Sequence, residues 1–139
     1  MAIFRRILEL DGTAGTDIHE VTGQVAEVAA ASGLAQGLVS VFTPGSTAAV
    51  TTIEHESGAL SDLRRLLEDL APAAGEYAHN LRWGDGNGYS HLRAALLGPS
   101  LTVPLEGGRP LSGTWQQIVV LDFDNRPRRR QVVVSVVGE

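Results

Sequence analysis

The alternation of apolar and polar positions predicts a chain built mostly from β-strands. Residues 1–10 carry apolar side chains at alternate positions, with Arg6 as the exception, before Gly12 and Gly15 interrupt the run. Residues 37–42 are apolar on both faces, which is typical of a strand buried on both sides. The predicted strands are residues 1–10, 37–42, 46–54, 101–105, 115–123 and 128–137, the last two joined as a hairpin.

Apolar residues three and four positions apart predict three helices. The first should begin with Asp17 as its N-cap and Glu20 as the partner in a capping box, and should end before Gly33. The second covers residues 57–70, and a third, short helix before Gly98 turns three side chains inward: Tyr89, Leu92 and Leu96. These elements predict one α+β domain over residues 1–139, a mostly antiparallel, sandwich-like sheet with helices packed on one side.

Composition restricts the chemistry of this domain. All 11 basic residues are arginines, and the sequence contains neither lysine nor cysteine. Schiff-base chemistry, a P-loop lysine, disulfides and thiol catalysis are therefore excluded. A net charge of −5 argues against a general nucleic-acid binder. No apolar run approaches the roughly 20 residues of a membrane span, so we expect a cytoplasmic protein without membrane or nucleic-acid partners.

The segment from residue 77 to residue 91 holds the densest group of chemically useful side chains. His79, Asp85 and His91 are residue types that bind divalent ions such as zinc or magnesium where no thiolate is available. A loop and a following helix would bring them to one ion. The alternative is structural: Asp85 or Asn87 caps the helix, the glycines form a turn, and the histidines are simply hydrogen-bonded.

Three further segments carry weaker signals. Glu54, at a strand end, is either a general base or metal ligand, or a solvated charge. Residues 44–47 form either an anion-binding turn or a bend. The arginines at positions 126 and 128–130 would suit phosphate. Because alternation places Arg129 opposite Arg128 and Arg130, with aspartates nearby, we expect a solvated or subunit-contact hairpin with internal ion pairs.

Taken together, these residues resemble the YjbQ family, also called secondary thiamine-phosphate synthases, from about residue 3 to residue 137. The matching positions are Glu54, Tyr77-x-His79, Gly84-Asp85-Gly86-Asn87, Ser90-His91-Leu92, Leu97-Gly98-Pro99-Ser100, Val103-Pro104, Gly113-Thr114-Trp115-Gln116 and Arg128-x-Arg130. The resemblance implies a single-domain α+β sandwich that assembles as a homotrimer. It also implies metal binding and a weak thiamine-phosphate synthase activity, which joins an aminopyrimidine pyrophosphate to a thiazole phosphate.

The resemblance assigns roles to individual residues. His79 and His91 would bind the metal, and Glu54, Asp85 and His91 would be catalytic, with Glu54 as base. The loop residues Gly86, Asn87 and Gly88 would offer N–H groups to the phosphorylated substrate. Trp115 would close the pocket or pack in the core or at a subunit contact.

One position departs from the family pattern: Gly45 stands where the family carries a histidine. This chain therefore offers two matching imidazoles instead of three. The alternative function is a non-catalytic homotrimer that binds a small ligand or a partner.

Overall fold

A computed structural model describes residues 1–12 and 15–139 of the chain. Within those ranges the strands are β1 (Ala2–Gly12), β2 (Asp17–Glu20), β3 (Gln36–Phe42), β4 (Ala48–Ile53), β5 (Ser100–Glu106), β6 (Arg109–Pro110), β7 (Gln117–Asp122) and β8 (Arg128–Gly138). The helices are α1 (Thr22–Ala31), α2 (Ser57–Leu70), α3 (Ala78–Trp83) and α4 (Gly88–Leu97).

The strands form two antiparallel sheets. The five-stranded sheet has the order β1-β8-β3-β5-β6, and the three-stranded sheet has the order β2-β7-β4. Strand β7 is buried on both faces: Val120 joins the core between the two sheets and α1, whereas Val119 and Leu121 join a second core. The second core packs against Leu67 of α2 and Ala94 of α4. The predicted single-domain α+β fold of antiparallel sheets with packed helices is confirmed, with α1 on the opposite face of β7 from α2 and α4.

The predicted start of the first helix is wrong. Asp17–Glu20 is strand β2, which pairs with residues 119–122 of β7, and helix α1 begins only at Thr22. A capping box and a strand compete for the same short segment here. The strand forms because pairing with β7 gives its backbone groups partners within a sheet.

Burial on both faces of β3 is also wrong for this chain. Val39 and Val41 are fully buried, but Leu38 and Phe42 on the opposite face are 52% and 38% exposed. The residues paired with them in β8, Val137 and Val133, lie on the same outer face. The outer face of the five-stranded sheet therefore exposes apolar side chains, on either side of a polar row of Arg5, Ser135 and Ser40.

The helices next to the candidate site differ from the prediction as well. Helix α3 was not predicted, and it ends at Gly84, which has a φ of +65°. In α4, Tyr89 is buried as expected, but Leu92 and Leu96 are 52% and 59% exposed. In the described part of the chain no helix has the length and apolar character needed to cross a bilayer.

Candidate functional site

The turn between α3 and α4 brings three of the expected residues together. The rings of His79 in α3 and His91 in α4 have their centroids 4.5 Å apart and are tilted by 41°. Asp85, in the connecting loop, has its Oδ1 atom 3.4 Å from Nδ1 of His79. The short helix and its tight turn thus fold the sequence back on itself, so that two imidazoles and a carboxylate share one corner of the molecule.

The loop N–H groups assigned to the substrate are mostly used inside the protein. The amide of Asn87 donates to Oδ1 of Asp85 at 3.1 Å, and the amide of Gly88 donates to Oδ1 of Asn80 at 2.8 Å. The buried Asn87 side chain accepts hydrogen bonds from Ser90 Oγ and from the Asn125 amide. The amides of Asn87 and Gly88 therefore stabilise the loop, contrary to the expectation that they are free for an anion. Gly86 lies in the same turn and has a left-handed φ of +64°.

Glu54 does not join the histidines within one chain. Strand β4 begins at Ala48, which lines a cleft together with His91, and Glu54 follows the other end of that strand. Six residues of extended chain separate the two ends by roughly 20 Å. Glu54 instead lines a separate cleft with Glu20, His55 and the exposed Trp115. Within one chain Glu54 therefore does not face His91, and its role as a base stays a prediction.

A polar cleft of about 390 Å³ lies next to the histidine pair. Its walls come from the turn before β4, the start of α4 and the connection from β7 to β8. The predicted hairpin between these two strands is wrong, because β7 lies in the three-stranded sheet and β8 in the five-stranded sheet. The lining residues are Gly45, Ser46, Thr47, Asp85, Asn87, His91, Asp124, Arg128, Arg129 and Arg130. Another cleft, of about 460 Å³, is lined by residues between Gly75 and Leu81, and Glu76 is its only charged lining residue. The cleft beside His91 therefore has the richer chemistry.

Buried ion pairs form the floor of this cleft. Arg130, only 8% exposed, donates from Nε and Nη2 to the two carboxylate oxygens of Asp122 at 2.9 and 2.8 Å. Arg128 donates from Nε to Asp124, and the Thr47 hydroxyl donates to the same carboxylate. Each buried carboxylate thus has an arginine partner.

The pKa of Asp124 is lowered by these contacts. Burial acts to raise the pKa, but the hydrogen bond from Thr47 and the charge and hydrogen bond of Arg128 outweigh that effect. Arg129 points to the other face of β8, where it pairs with Glu9 and Asp11 of β1. The predicted alternation of the arginines, and their internal ion pairs, are confirmed.

One feature of the site was missed by reasoning from the sequence. Arg93 of α4 is 3% exposed and fixes the helix to its surroundings. An arginine in an amphipathic helix is an ordinary surface pattern, so it carried no signal. Gly45 was noted only as a departure; the structure shows that a Cβ there would lie 3.0 Å from Arg130 Nη1.

The residue types at the corner fit a zinc ion better than a magnesium ion, because imidazole suits zinc. His79 Nδ1 is buried without a hydrogen-bond partner among the described residues, although the Asp85 carboxylate lies near it. His79 and His91 are the residues that would hold the ion. No group of three histidine or acidic side chains is arranged around one ion position in the parts of the chain that the structure describes.

Fold and cleft together define a small α+β protein with two antiparallel sheets and a polar, arginine-floored cleft beside a histidine pair. The family model described as "UPF0047 protein YjbQ-like" matches residues 6–139. The chain therefore belongs to the YjbQ-like UPF0047 family, as the resemblance in its sequence predicted.

Relatives and solved structures agree with this membership. A UPF0047 protein of Methanothermobacter thermautotrophicus is 39% identical over 139 residues, covering 100% of this chain and 95% of its own. One from Mycobacterium tuberculosis is 44% identical over 101 residues, covering 73% and 75%. The crystal structure of a YbjQ-like protein of unknown function from Sulfolobus solfataricus superposes with a TM-score of 0.89 at 27% identity, covering 99% and 100%.

Proposed function

We propose that this protein is a metal-assisted transferase that acts on a phosphorylated small molecule. The observation that carries the proposal is the position of His91, which is paired with His79 and also lines the arginine-floored cleft. A metal at the histidine pair would thus adjoin a cleft whose arginines suit phosphate. The reaction to test first is the thiamine-phosphate synthase reaction that the family resemblance suggests.

The chain's own residues have distinct tasks in this proposal. His79 and His91 would hold a zinc ion, and Asp85, 3.4 Å from His79, would orient that imidazole. A bound zinc ion would neutralise charge on a pyrophosphate leaving group. The guanidinium of Arg128, 39% exposed at the cleft, balances the charge of the phosphate in the ligand. Glu54 has no task in the single chain, because β4 separates it from the cleft.

A second candidate function is a non-catalytic homotrimer that binds a small ligand or a partner. It is favoured by the outer face of the five-stranded sheet. There Ile7, Val133 and Phe42 form one cross-strand row, and Ile3, Val137 and Leu38 form another. Ile3 and Ile7 are 69% and 55% exposed. Apolar rows of this kind on a sheet face are typical of surfaces covered in an assembly.

Metal analysis and a turnover assay on untagged protein separate the two functions. We expect zinc to copurify with the protein, and thiamine phosphate to form from the aminopyrimidine pyrophosphate and the thiazole phosphate. His79→Ala and His91→Ala should lose both properties. His55→Ala, which changes a histidine in the other cleft, should keep both. Protein that is folded but retains no zinc and forms no product would reject the transferase and favour the binding protein.

A further inference from the structure

We infer that the Gly45–Ser46 turn and Arg130 form an oxyanion subsite, which receives the phosphate group of a ligand whose remainder is compact and apolar. The subsite lies in the cleft of the proposed function and rests on that function for its role in a reaction. It differs from the histidine pair in its residues and in the chemistry of its donors.

The first support is the guanidinium of Arg130. Its Nε and Nη2 atoms donate to Asp122, and Nη2 also donates to the Thr47 hydroxyl. Its Nη1 atom donates to no residue in the described ranges, and it lies 3.0 Å from the place a Cβ at position 45 would take. Gly45, with φ +144°, therefore leaves one edge of a fixed, buried guanidinium open to the cleft.

The second support is the turn itself. The backbone amides of Gly45 and Ser46 and the Ser46 hydroxyl make no hydrogen bond to the residues that the structure describes, and both residues line the cleft. A guanidinium N–H, two amides and a hydroxyl form a compact donor set. A tetrahedral oxyanion accepts hydrogen bonds from such a set.

The charges around the subsite allow an anion to enter. Asp122 and Asp124 are already paired with Arg130 and Arg128 through short hydrogen bonds. The remaining acidic side chain of the lining, Asp85, lies beside His79. The carboxylates near an anion held by Ser46 and Arg130 are therefore paired with arginines. Those arginines offset the negative charge that would otherwise repel the anion.

The shape next to the subsite indicates the rest of the ligand. A second cleft of about 340 Å³ shares Gly45, Ser46 and His91 with the polar cleft. Its other lining residues are all apolar: Ala48, Ala94, Ala95 and Pro99. A ligand with its phosphate against Arg130 would place a small apolar group or ring beside His91, over this alanine-lined wall. The ligand class is thus a phosphate ester of a compact, mostly apolar molecule.

Calorimetric titration of metal-free protein with inorganic phosphate and with pyrophosphate tests the subsite without requiring turnover. Ser46 is exposed and makes no hydrogen bond that folding would lose, so Ser46→Asp should fold. The new carboxylate should weaken phosphate binding about tenfold or more by like-charge repulsion. Ser112→Asp makes the same change at an exposed serine outside the cleft, and should bind phosphate within about twofold of the parent protein.

His79→Ala separates this inference from the proposed function. If both are correct, His79→Ala loses zinc but keeps phosphate binding, and Ser46→Asp keeps zinc but loses phosphate binding. Absence of phosphate and pyrophosphate binding by the parent protein would overturn the subsite, as would equal binding by Ser46→Asp. Phosphate binding that persists in a protein without zinc or turnover would reject the transferase and leave the subsite standing.

Discussion

Arg93 Nη2 donates to the Glu68 carboxylate at 2.6 Å and so joins α4 to α2. The same guanidinium donates from Nε to the Ala71 carbonyl at 3.0 Å and from Nη1 to the Thr16 hydroxyl at 2.9 Å. Arg93 comes two residues after His91 on α4. These bonds therefore fix the helix that presents His91 to the cleft.

Removing this guanidinium should destabilise the protein. Arg93→Met keeps apolar bulk but leaves the Ala71 carbonyl without its partner, and we expect a loss of about 2 kcal/mol in unfolding free energy. More than half of the Glu68 side chain is exposed, so its ion pair accounts for a minor part. Arg65→Met removes an exposed ion pair with Asp62 and should change stability by less than about 0.5 kcal/mol. Equal urea midpoints for the two variants would contradict the role of Arg93.

The lowered pKa of Asp124 predicts an acid-dependent contribution to stability. A carboxylate whose folded pKa lies below its unfolded value of about 3.9 stabilises the fold above that pH. The contribution is lost as the pH falls through the folded pKa. Asp124→Asn should therefore be less stable than the parent at neutral pH, and the difference should shrink below about pH 4. Urea unfolding at a series of pH values measures this difference in unfolding free energy. A difference that does not change with pH would show that the charge of Asp124 does not stabilise the fold.

Two glycine substitutions should act in opposite directions. A Cβ at position 37 would lie only 1.9 Å from the Val137 carbonyl oxygen, across the β3–β8 pair. Gly37→Ala must move a strand and should cost about 2 kcal/mol or more. Gly23, in α1, has open space where a Cβ would lie, and Gly23→Ala should stabilise the helix by about 0.5 kcal/mol. Thermal unfolding of both variants checks the two signs.

A charge placed on the outer face of the five-stranded sheet tests whether the protein assembles through that face. Light scattering should give three times the 14.7 kDa of one chain for the parent protein if it is a homotrimer. Ile7→Glu places a carboxylate on the outer face of β1 and should yield monomers. Leu81→Glu alters a leucine that is 91% exposed on α3, away from that sheet, and should leave the mass unchanged. A trimer that survives Ile7→Glu would place the interface elsewhere.

The sequence predicted the strands well because their alternation reports directly on burial. The segments at residues 37–42 and 128–137 fall within β3 and β8. It failed at Asp17–Glu20, where pairing with β7 decided between helix and strand, and at α3, whose described residues include none that are buried. Periodicity cannot reveal a helix that has no apolar stripe against the core.

The sequence predicted which residue types form the candidate site better than it predicted how those residues are arranged in space. Proximity along the chain indicated that His79, Asp85 and His91 would converge, since only a short turn separates them. The distance between Glu54 and His91 follows from the direction of β4, which residue spacing does not give. The open edge of Arg130 likewise depends on contacts between residues more than 80 positions apart, as its bond to Thr47 shows.

The order of the five-stranded sheet has a consequence for how the protein is made. Strand β8 lies between β1 and β3, yet it follows every other element in this chain. During synthesis β1 and β3 leave the ribosome before β8, the strand that joins them. The side chains of Val39 and Val41 therefore lack their neighbouring valines until β8 has been made. Pairing across such sequence separations is slow, because the intervening chain must close first. The nascent protein should therefore depend on chaperones until β8 completes the sheet.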